Sequence, residues 1–234
     1  NPDSYDYVFG GNIVSGYYPS NMSNDNLKWE TTEQFNVGLD FGFFANRLYG
    51  SIDVYNKLTT DMLWDYSVPV PPNLYGTTTA NVGSMRNRGI EVMIGGTPVQ
   101  TSKFEWNTTL TMASNKNTLL SMSNDFYETE DYLDAGWTEE PTSMTVQRTY
   151  VGGSIGDFYM LKSVGLSDKK ATKGMWLIEN PETGEAEVFN SGMRGYDSAY
   201  RQYMGTALPK LTLGWSNTLR FYGVDLTMSF SGQF

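Results

Sequence analysis

Apolar and polar residues alternate at period two in six segments of this chain, and the clearest of these runs from Trp29 to Phe43. Successive side chains of a strand point to opposite faces. From Phe35 onward, one face of this segment is therefore apolar and the other is polar or glycine. Such a strand lies between an apolar phase and water. That phase is either a protein core or a lipid bilayer, and the alternation does not distinguish them.

The composition favours strands and turns and excludes several kinds of chemistry. The chain has 234 residues, with 24 Gly and 16 Tyr, and 39% of it is hydrophobic, a mixture typical of strands and turns. It contains neither His nor Cys, which excludes imidazole and thiolate nucleophiles and metal ligands. A formal net charge of −10 argues against a nucleic-acid partner. No apolar run approaches the ~20 residues of a membrane helix, so a membrane-spanning form would have to be a barrel.

Six strands are predicted, and the links between them are alternately short and long. The strands are Trp29–Phe43, about Leu48–Leu58, about Asn87–Thr97, a strand beginning at Phe104, Lys210–Phe221 and Val224–Phe234. The short links are Ala45–Arg47, Pro98–Lys103 and Tyr222–Gly223. Residues 63–85 and 119–207 are the long links, and residues 1–27 are predicted to be irregular loop. Outer-membrane barrels have this order, with tight periplasmic turns and long extracellular loops.

Aromatic residues collect near the short links, as in the girdle that borders a membrane barrel. They are Phe41, Phe43, Tyr49, Phe104, Trp106, Phe221 and Tyr222. In a barrel the apolar strand faces contact lipid, and the residues predicted to do so are Phe35, Val37, Leu39, Phe41, Ile52, Val54, Ile90, Val92, Ile94, Leu110, Leu213 and Trp215. The opposite faces, with Gln34, Asp40, Asp53 and Arg220, would line the lumen. The same pattern also fits the core of a β-sandwich, although nothing in a sandwich forces the long links onto one end.

Six strands are too few to close a barrel, because a small closed barrel needs ~8. An open sheet edge cannot face lipid. The chain also stops inside a strand, at Ser231–Phe234. We therefore expect the chain to be part of a longer polypeptide that supplies the neighbouring strands.

Several blocks of this sequence occur in the order in which one known family has them. The longest is Asn26–Phe44, and the others are Asn46–Lys57, Asn87–Val92, Gly153–Tyr159, Gly195–Gln202 and Ala207–Asn217. Together they resemble the C-terminal barrel portion of the SusC/RagA family, the TonB-dependent outer-membrane transporters of Bacteroidetes. Met160, at a position where an aromatic residue is common, and residues 174–190 depart from the family pattern.

The resemblance implies an all-β fold: about six strands of a 22-stranded antiparallel transmembrane barrel, with residues 1–234 as an incomplete C-terminal segment that lacks the plug domain. It implies a place in the outer membrane, in contact with lipid and lipopolysaccharide. It also implies active import of oligosaccharides or peptides, delivered by a SusD-like surface lipoprotein and powered by TonB through an N-terminal region outside this chain. It implies no cofactor, no metal and no enzymatic activity.

Two other classes of protein fit parts of the pattern. One is a secreted β-sandwich that binds carbohydrate. The other is a fragment of a glycoside hydrolase, but no carboxylate pair in the sequence has a recognisable glycosidase context. Lipid contact of the apolar strand faces would distinguish the transporter from the sandwich.

Two features of the long links are candidate sites. The aromatic residues Trp64, Tyr66, Tyr75, Trp137 and Trp176 are candidates for contact with a substrate or partner, because large rings suit sugars and protein interfaces; loop packing explains them equally well. The stretch Ser121–Gln147 is acidic and has no Lys or Arg; it contains Asp125, Glu128, Glu130, Asp131, Asp134, Glu139 and Glu140. Calcium takes such oxygen ligands, but the spacing matches no EF-hand loop, and we expect a solvated loop face.

Overall fold

The described part of the computed structural model consists of residues 2–19, 22–124, 132–139, 143–195 and 198–234. The longer strands are β3 (Thr31–Phe43), β4 (Leu48–Ser67), β5 (Thr77–Gln100), β6 (Phe104–Ser121), β14 (Thr212–Phe221) and β15 (Val224–Gln233). The shorter ones are β1 (Pro2–Phe9), β2 (Asn12–Pro19), β7 (Tyr132–Trp137), β8 (Thr145–Tyr150), β9 (Asp157–Leu161), β10 (Ser163–Leu166), β11 (Trp176–Glu179), β12 (Ala186–Val188) and β13 (Arg201–Thr206). A 3-10 helix spans Ser191–Arg194. Within these residues no helix has the length and apolar character needed to cross a membrane. The all-β prediction is confirmed.

The six predicted strands form a single sheet, in the order β15-β14-β6-β5-β4-β3. Strand β14 is antiparallel to both of its neighbours and pairs with them along its whole length: Phe221 lies opposite Phe104 of β6 and opposite Val224 of β15. Strands β3 and β15 are the two edges of this sheet. The alternating segments therefore correspond to one continuous surface with two distinct faces.

The short links of the sheet lie at one end of it. Arg47, in the β3–β4 link, accepts a hydrogen bond through its carbonyl from the Thr97 N–H near the end of β5 (2.9 Å). Tyr222, in the β14–β15 link, donates its N–H to the carbonyl of Lys103, just before β6 (3.1 Å). Tyr222 and Gly223 have φ values of 49° and 83°, as a tight two-residue hairpin requires. The short links predicted from the sequence are thus tight turns that lie together at one end of the sheet.

The predicted link over residues 63–85 was too long. Strand β4 continues past Leu58 to Ser67, and β5 begins at Thr77, so the connection spans only residues 68–76. Asn81 donates from Nδ2 to the carbonyls of Asp61 (2.6 Å) and Lys28 (2.9 Å), and Asp61 has a positive φ of 56°, as a kinked or bulged strand does. In the β4 extension Met62, Trp64 and Tyr66 keep the alternation, but Leu63 and the irregular Asp61 weaken it, and in the β5 extension neither face is uniformly apolar. The pattern therefore did not mark these extensions as strands.

The prediction that residues 1–27 are irregular was also wrong for residues 2–19. Strands β1 and β2 form an antiparallel hairpin whose register joins Phe9 to Asn12. Gly10 and Gly11 form its turn, with φ values of 62° and 79°. A Gly-Gly pair is a hairpin signal because both central residues of this turn need φ above zero. The interpretation as loop gave the Gly, Tyr and Asn content more weight than this turn signal.

The long link between β6 and β14 contains two small sheets. One has the order β13-β9-β8-β7 and the other β10-β11-β12. The chain divides into two compact units, one made of Asn1–Glu33, Leu58–Met85 and Leu120–Thr129, the other of Gln34–Lys57, Arg86–Leu119 and Glu130–Phe234. Among the described residues, Ala80, Val82 and Met122 are buried apolar residues of the first unit, and Leu119, Ile178 and Met193 of the second. None of these six lies among the residues predicted to contact lipid.

Glycines on one face of the large sheet make room for tyrosines from the next strand. A Cβ atom on Gly89 would overlap the ring of Tyr55, and a Cβ atom on Gly95 would lie 2.6 Å from Cζ of Tyr49. The Tyr55 hydroxyl donates to Oδ1 of Asn115 in β6 (3.1 Å). Because β5 lies between β4 and β6, the Tyr55 ring spans Gly89 and ties three strands together. This explains why glycines interrupt β5 on this face.

Gly89→Ala is expected to destabilise the sheet by about 1–3 kcal/mol, because the added methyl group would displace the Tyr55 ring and break its hydrogen bond to Asn115. The measurement is the urea midpoint of the intact protein in detergent. Gly76→Ala is the matched control, because its Cβ atom would meet nothing closer than 4.0 Å. Equal urea midpoints for Gly89→Ala and Gly76→Ala would contradict this packing. So would a Gly89→Ala variant that loses as much stability in a Tyr55→Ala background as in the wild type.

Candidate functional site

The apolar face of the large sheet is exposed. Phe35 and Leu39 of β3 are 69% and 63% exposed. Of the other residues predicted to contact lipid, those exposed are Val37, Ile52, Val54, Ile90, Ile94, Leu110 and Trp215, and those half-buried among their neighbours are Phe41, Val92 and Leu213. In the described part of the chain, nothing packs over these side chains as the second sheet of a sandwich would. We call this surface the outward face.

The outward face has the height of a bilayer core. Apolar and aromatic residues follow one another at every second position of β14, from Leu211, just before it, to Phe221, interrupted only by Asn217. At ~3.3 Å per residue and a tilt of ~40°, a stretch of this length spans roughly 25 Å, the height of the apolar band of a membrane barrel.

Two tryptophans shield two polar residues of the outward face. Asn217 lies opposite Thr108 in the register of β14 and β6. Trp106 donates from Nε1 to Oδ1 of Asn217 (3.0 Å), and Trp215 donates from Nε1 to Oγ1 of Thr108 (2.9 Å). Asn217 is only 3% exposed. Each indole thus satisfies its own N–H and a polar partner, an arrangement that an apolar environment requires.

The opposite face of the sheet is polar and crossed by hydrogen bonds. Thr97 donates from Oγ1 to Oδ1 of Asn107, and Asn107 donates from Nδ2 to Oε1 of Glu105, both at 2.6 Å. Arg220 forms an ion pair with Asp225 across the last hairpin (2.9 Å). The other residues predicted to line a lumen are exposed (Gln34, Asp40) or half-buried (Asp53). This face therefore suits water or a polar protein surface.

The five candidate aromatic residues do not form one site. Trp64 and Tyr66 belong to β4 and are half-buried, and Trp64 packs near Gly83. Tyr75 is half-buried in the link between β4 and β5. Trp137, at the end of β7, and Trp176, at the start of β11, are 56% and 57% exposed. No aromatic pair within the described residues joins Trp137 to Trp176. Packing against the neighbouring strand therefore accounts for Trp64, whereas Trp137 and Trp176 are exposed.

Asp134 corrects the expectation of a solvated acidic face. Its carboxylate accepts from Nε (2.7 Å) and Nη2 (3.0 Å) of Arg148, and Arg201 Nη1 lies 3.7 Å away. The sequence window missed both cations because they lie beyond its end and are brought in by the sheet. Glu139 is exposed. The remaining acidic residues, Asp125, Glu128, Glu130, Asp131 and Glu140, lie outside the described residues. Where side chains are described, no group of three or more His, Cys, Asp or Glu is arranged to hold a metal.

The two arginines organise the four-stranded sheet. The Cζ atom of Arg148 lies 3.5 Å and 3.9 Å from the ring centroids of Tyr132 and Tyr159. Arg201 donates from Nη2 to the carbonyls of Thr145 and Tyr159, both at 2.7 Å. We call Asp134, Arg148, Tyr159 and Arg201 the arginine cluster. Tyr159 and Arg201 belong to two sequence blocks of the SusC/RagA resemblance, and their contact connects these blocks physically.

The electrostatics of this region favour a fixed structure over acid–base chemistry. Burial by itself would lower the pKa of Arg148, but the hydrogen bond and charge of Asp134 raise it above its usual value. Burial and the neighbouring Tyr150 raise the pKa of Tyr203 to about 12, with the two ring centroids 4.7 Å apart. Both groups therefore keep one protonation state at physiological pH. The arginine cluster supports the loops and has no geometry suited to proton transfer.

Comparison with known proteins identifies the family. The model of the TonB dependent receptor-like beta-barrel family matches residues 1–158. The chain belongs to this family. It is 33% identical over 179 residues to the TonB-dependent receptor SusC of Bacteroides thetaiotaomicron, an alignment that covers 74% of this chain and 17% of SusC. It is 36% identical over 164 residues to the TonB-dependent receptor P39 of Formosa agariphila, covering 69% of this chain and 14% of that receptor.

A solved structure gives the same fold. The RagAB peptide transporter superposes with a TM-score of 0.73 at 23% sequence identity, covering 99% of this chain and 24% of that one. The resemblance to SusC/RagA-type barrels is thereby confirmed. The chain spans only 14–22% of the length of the curated relatives that it matches.

Trp106→Phe is expected to destabilise the sheet by about 1–3 kcal/mol, because it removes the donor that satisfies the buried Asn217 amide oxygen. Adding Asn217→Leu should restore most of that loss, since the amide is then absent. The measurement is the urea midpoint of the intact protein in detergent for the wild type, both single variants and the double variant. Additive effects in this cycle would show that the indole and the amide are not coupled.

Proposed function

We propose that this chain is a wall segment of an outer-membrane barrel that imports nutrients with energy supplied through TonB. The observation that carries the proposal is the outward face: an exposed apolar surface about as tall as a bilayer core, on a sheet with a polar opposite face. Family membership supports the same conclusion. The strands of the segment act as scaffold, and coupling to the energy source belongs to the rest of the transporter.

In this proposal the two sheet edges are covered by strands from the remainder of the protein. An unpaired strand edge is costly in lipid, because no water is present to satisfy its N–H and C=O groups. Strands β3 and β15 each offer such an edge. The relatives are several times longer than this chain, which supports neighbouring strands and a plug in the intact transporter.

The proposed orientation places the tight turns in the periplasm and the long links outside the cell. In the structure these long links are residues 68–76, within the predicted range 63–85, and residues 122–211, which overlap the predicted range 119–207. The first residues, 1–27, are also assigned to the outside. Tight periplasmic turns and long external loops are the rule for outer-membrane barrels.

The proposed cargo is an oligosaccharide or a peptide, delivered by a SusD-like surface lipoprotein. The relatives support this class: one is the receptor SusC and another structure is described as a peptide transporter. Trp137 and Trp176, both exposed on the long-link sheets, are the proposed contacts with the lipoprotein or cargo. We propose no enzymatic activity, since the matched relatives are named as receptors and transporters.

A secreted carbohydrate-binding sandwich is the competing function, and the outward face argues against it. In a sandwich the inner faces of two sheets bury their apolar side chains against one another. Here the buried apolar residues lie elsewhere, and Phe35 and Leu39 are open. A soluble protein with so large an exposed apolar surface would be prone to aggregate.

Val92→Arg is expected to cost about 2–4 kcal/mol of barrel stability, because it places a charge on the lipid-facing side near the middle of the bilayer. Glu91→Arg is the matched control, one residue away on the same strand but on the opposite face. The measurement is the amount of folded, heat-modifiable barrel in outer-membrane fractions. Normal assembly of the Val92→Arg variant, or an equal loss in both, would contradict lipid contact.

Import predicts a loss of growth when the gene for the intact transporter is deleted. We expect the deletion strain to lose growth on mixed oligosaccharides or on mixed peptides as the limiting nutrient, but not on both. Restoring the gene should restore growth, and removal of TonB should abolish it again. The intact transporter should also copurify with a surface lipoprotein. Unchanged growth on both nutrients would contradict an import function of this class.

A further inference from the structure

Two cations stand where the apolar part of the outward face ends on the side of the long links. Along β5, Arg88 comes two residues before Ile90, and along β6, Lys116 comes four residues after Met112. Asn87 and Asn117 are hydrogen-bonded to one another across these strands (2.9 Å). Asn87 and Asn117 point to the polar face of the sheet. Neighbouring residues of a strand point to opposite faces, so the next residue of each strand points to the outward face. Arg88 and Lys116 therefore lie opposite one another on the outward face.

The two cations border an apolar recess. A recess of about 390 Å³ is lined by the side chains of Phe35, Val37, Val54 and Ile90 as well as by Arg88 and Lys116. The apolar walls belong to the lipid-facing part of the sheet, and the cations border the recess on the long-link side. Among the described residues that line the recess there is no carboxylate. In a chain with a formal net charge of −10, such a site selects for an anion.

The arginine is already oriented for a ligand. Arg88 donates from Nε to Oδ1 of Asn56 (3.0 Å), which fixes the plane of the guanidinium group. Neither Arg88 nor Lys116 takes part in an ion pair with any residue that the structure describes. A planar guanidinium with free terminal nitrogens suits bidentate contact with a phosphate, and a nearby ammonium adds a point charge.

We propose that Arg88 and Lys116 bind the phosphate of a phosphorylated lipid of the outer leaflet, while one of its acyl chains occupies the recess beside Phe35, Val54 and Ile90. The position of the cations at the border of the apolar face matches the depth of a lipid headgroup, and the recess matches the chain below it. Asn56 positions the arginine. The inference rests on the proposed orientation, in which the long links face the outside of the cell.

The test uses the intact transporter in detergent and native mass spectrometry with two probes, phosphorylated lipid A and the same lipid with its phosphates removed. The double variant Arg88→Gln/Lys116→Gln should lower occupancy by phosphorylated lipid A by about tenfold and leave the dephosphorylated lipid unchanged. The control is Lys169→Gln/Lys173→Gln, which removes two charges from an exposed link and should change neither. The wild type should prefer the phosphorylated lipid.

Several outcomes would overturn the proposal. These are equal binding of both lipids by the wild type, unchanged occupancy in the double variant, or full displacement by inorganic phosphate alone, which would indicate a site for free phosphate. Loss of the copurifying lipoprotein with intact lipid binding would assign the cations to a protein interface. Failure of the proposed function can be told apart from failure of the lipid site. If the proposed function is wrong, the wild-type protein is absent from the outer membrane of the cells that carry it.

Discussion

A strand in a bilayer must have both of its backbone edges paired, because the lipid offers no hydrogen bonds. Strand β14 shows how this requirement organises the structure: it pairs residue by residue with β6 on one side and β15 on the other. The same requirement extends to side chains. Asn217 and Thr108 occupy an otherwise apolar face, and the indole groups of Trp106 and Trp215 take up their hydrogen-bonding capacity. The polar groups of Asn217 and Thr108 are therefore hydrogen-bonded within the sheet, and these two positions of the outward face need no hydrogen bonds from their surroundings.

The loops satisfy their polar groups in a different way. In the four-stranded sheet, the half-buried carboxylate of Asp134, two buried guanidinium groups and the rings of Tyr132 and Tyr159 pack together. Removing one member of such a buried set leaves an uncompensated charge, which costs more than the intact set contributes. The loop region thus has a rigid base from which exposed residues such as Trp137 project. Rigid support beneath exposed aromatic side chains lowers the entropic cost of binding a partner.

Sequence alternation predicted those parts of the strands that have one clearly apolar face, and it failed where the alternation is weakened, as in the extension of β4, or absent, as in that of β5. Strands β14 and β15 were predicted almost to the residue, whereas the ends of β4 and β5 were taken for loop. In those extensions Asn81 holds the strands together through its amide, and no periodicity reports such a contact. Asp134 is a similar case, since Arg201 is far away in the chain. The hairpin β1–β2 was different: its Gly-Gly turn was visible in the sequence and was outweighed by composition.

The net charge says little about this chain, because acidic and basic residues lie in different parts of the structure. Carboxylates such as Asp53 and Glu105 lie on the face that would line the lumen, and many others lie in the long links. Where the outward face ends at the long links, it carries Arg88 and Lys116; where it ends at the tight turns, it carries Phe104 and Phe221, whose rings are 6.3 Å apart. A bilayer with equivalent leaflets would not call for such different borders. In the proposed orientation, with the long links outside the cell, cations at one border and aromatic rings at the other fit a membrane whose outer leaflet is the more anionic one.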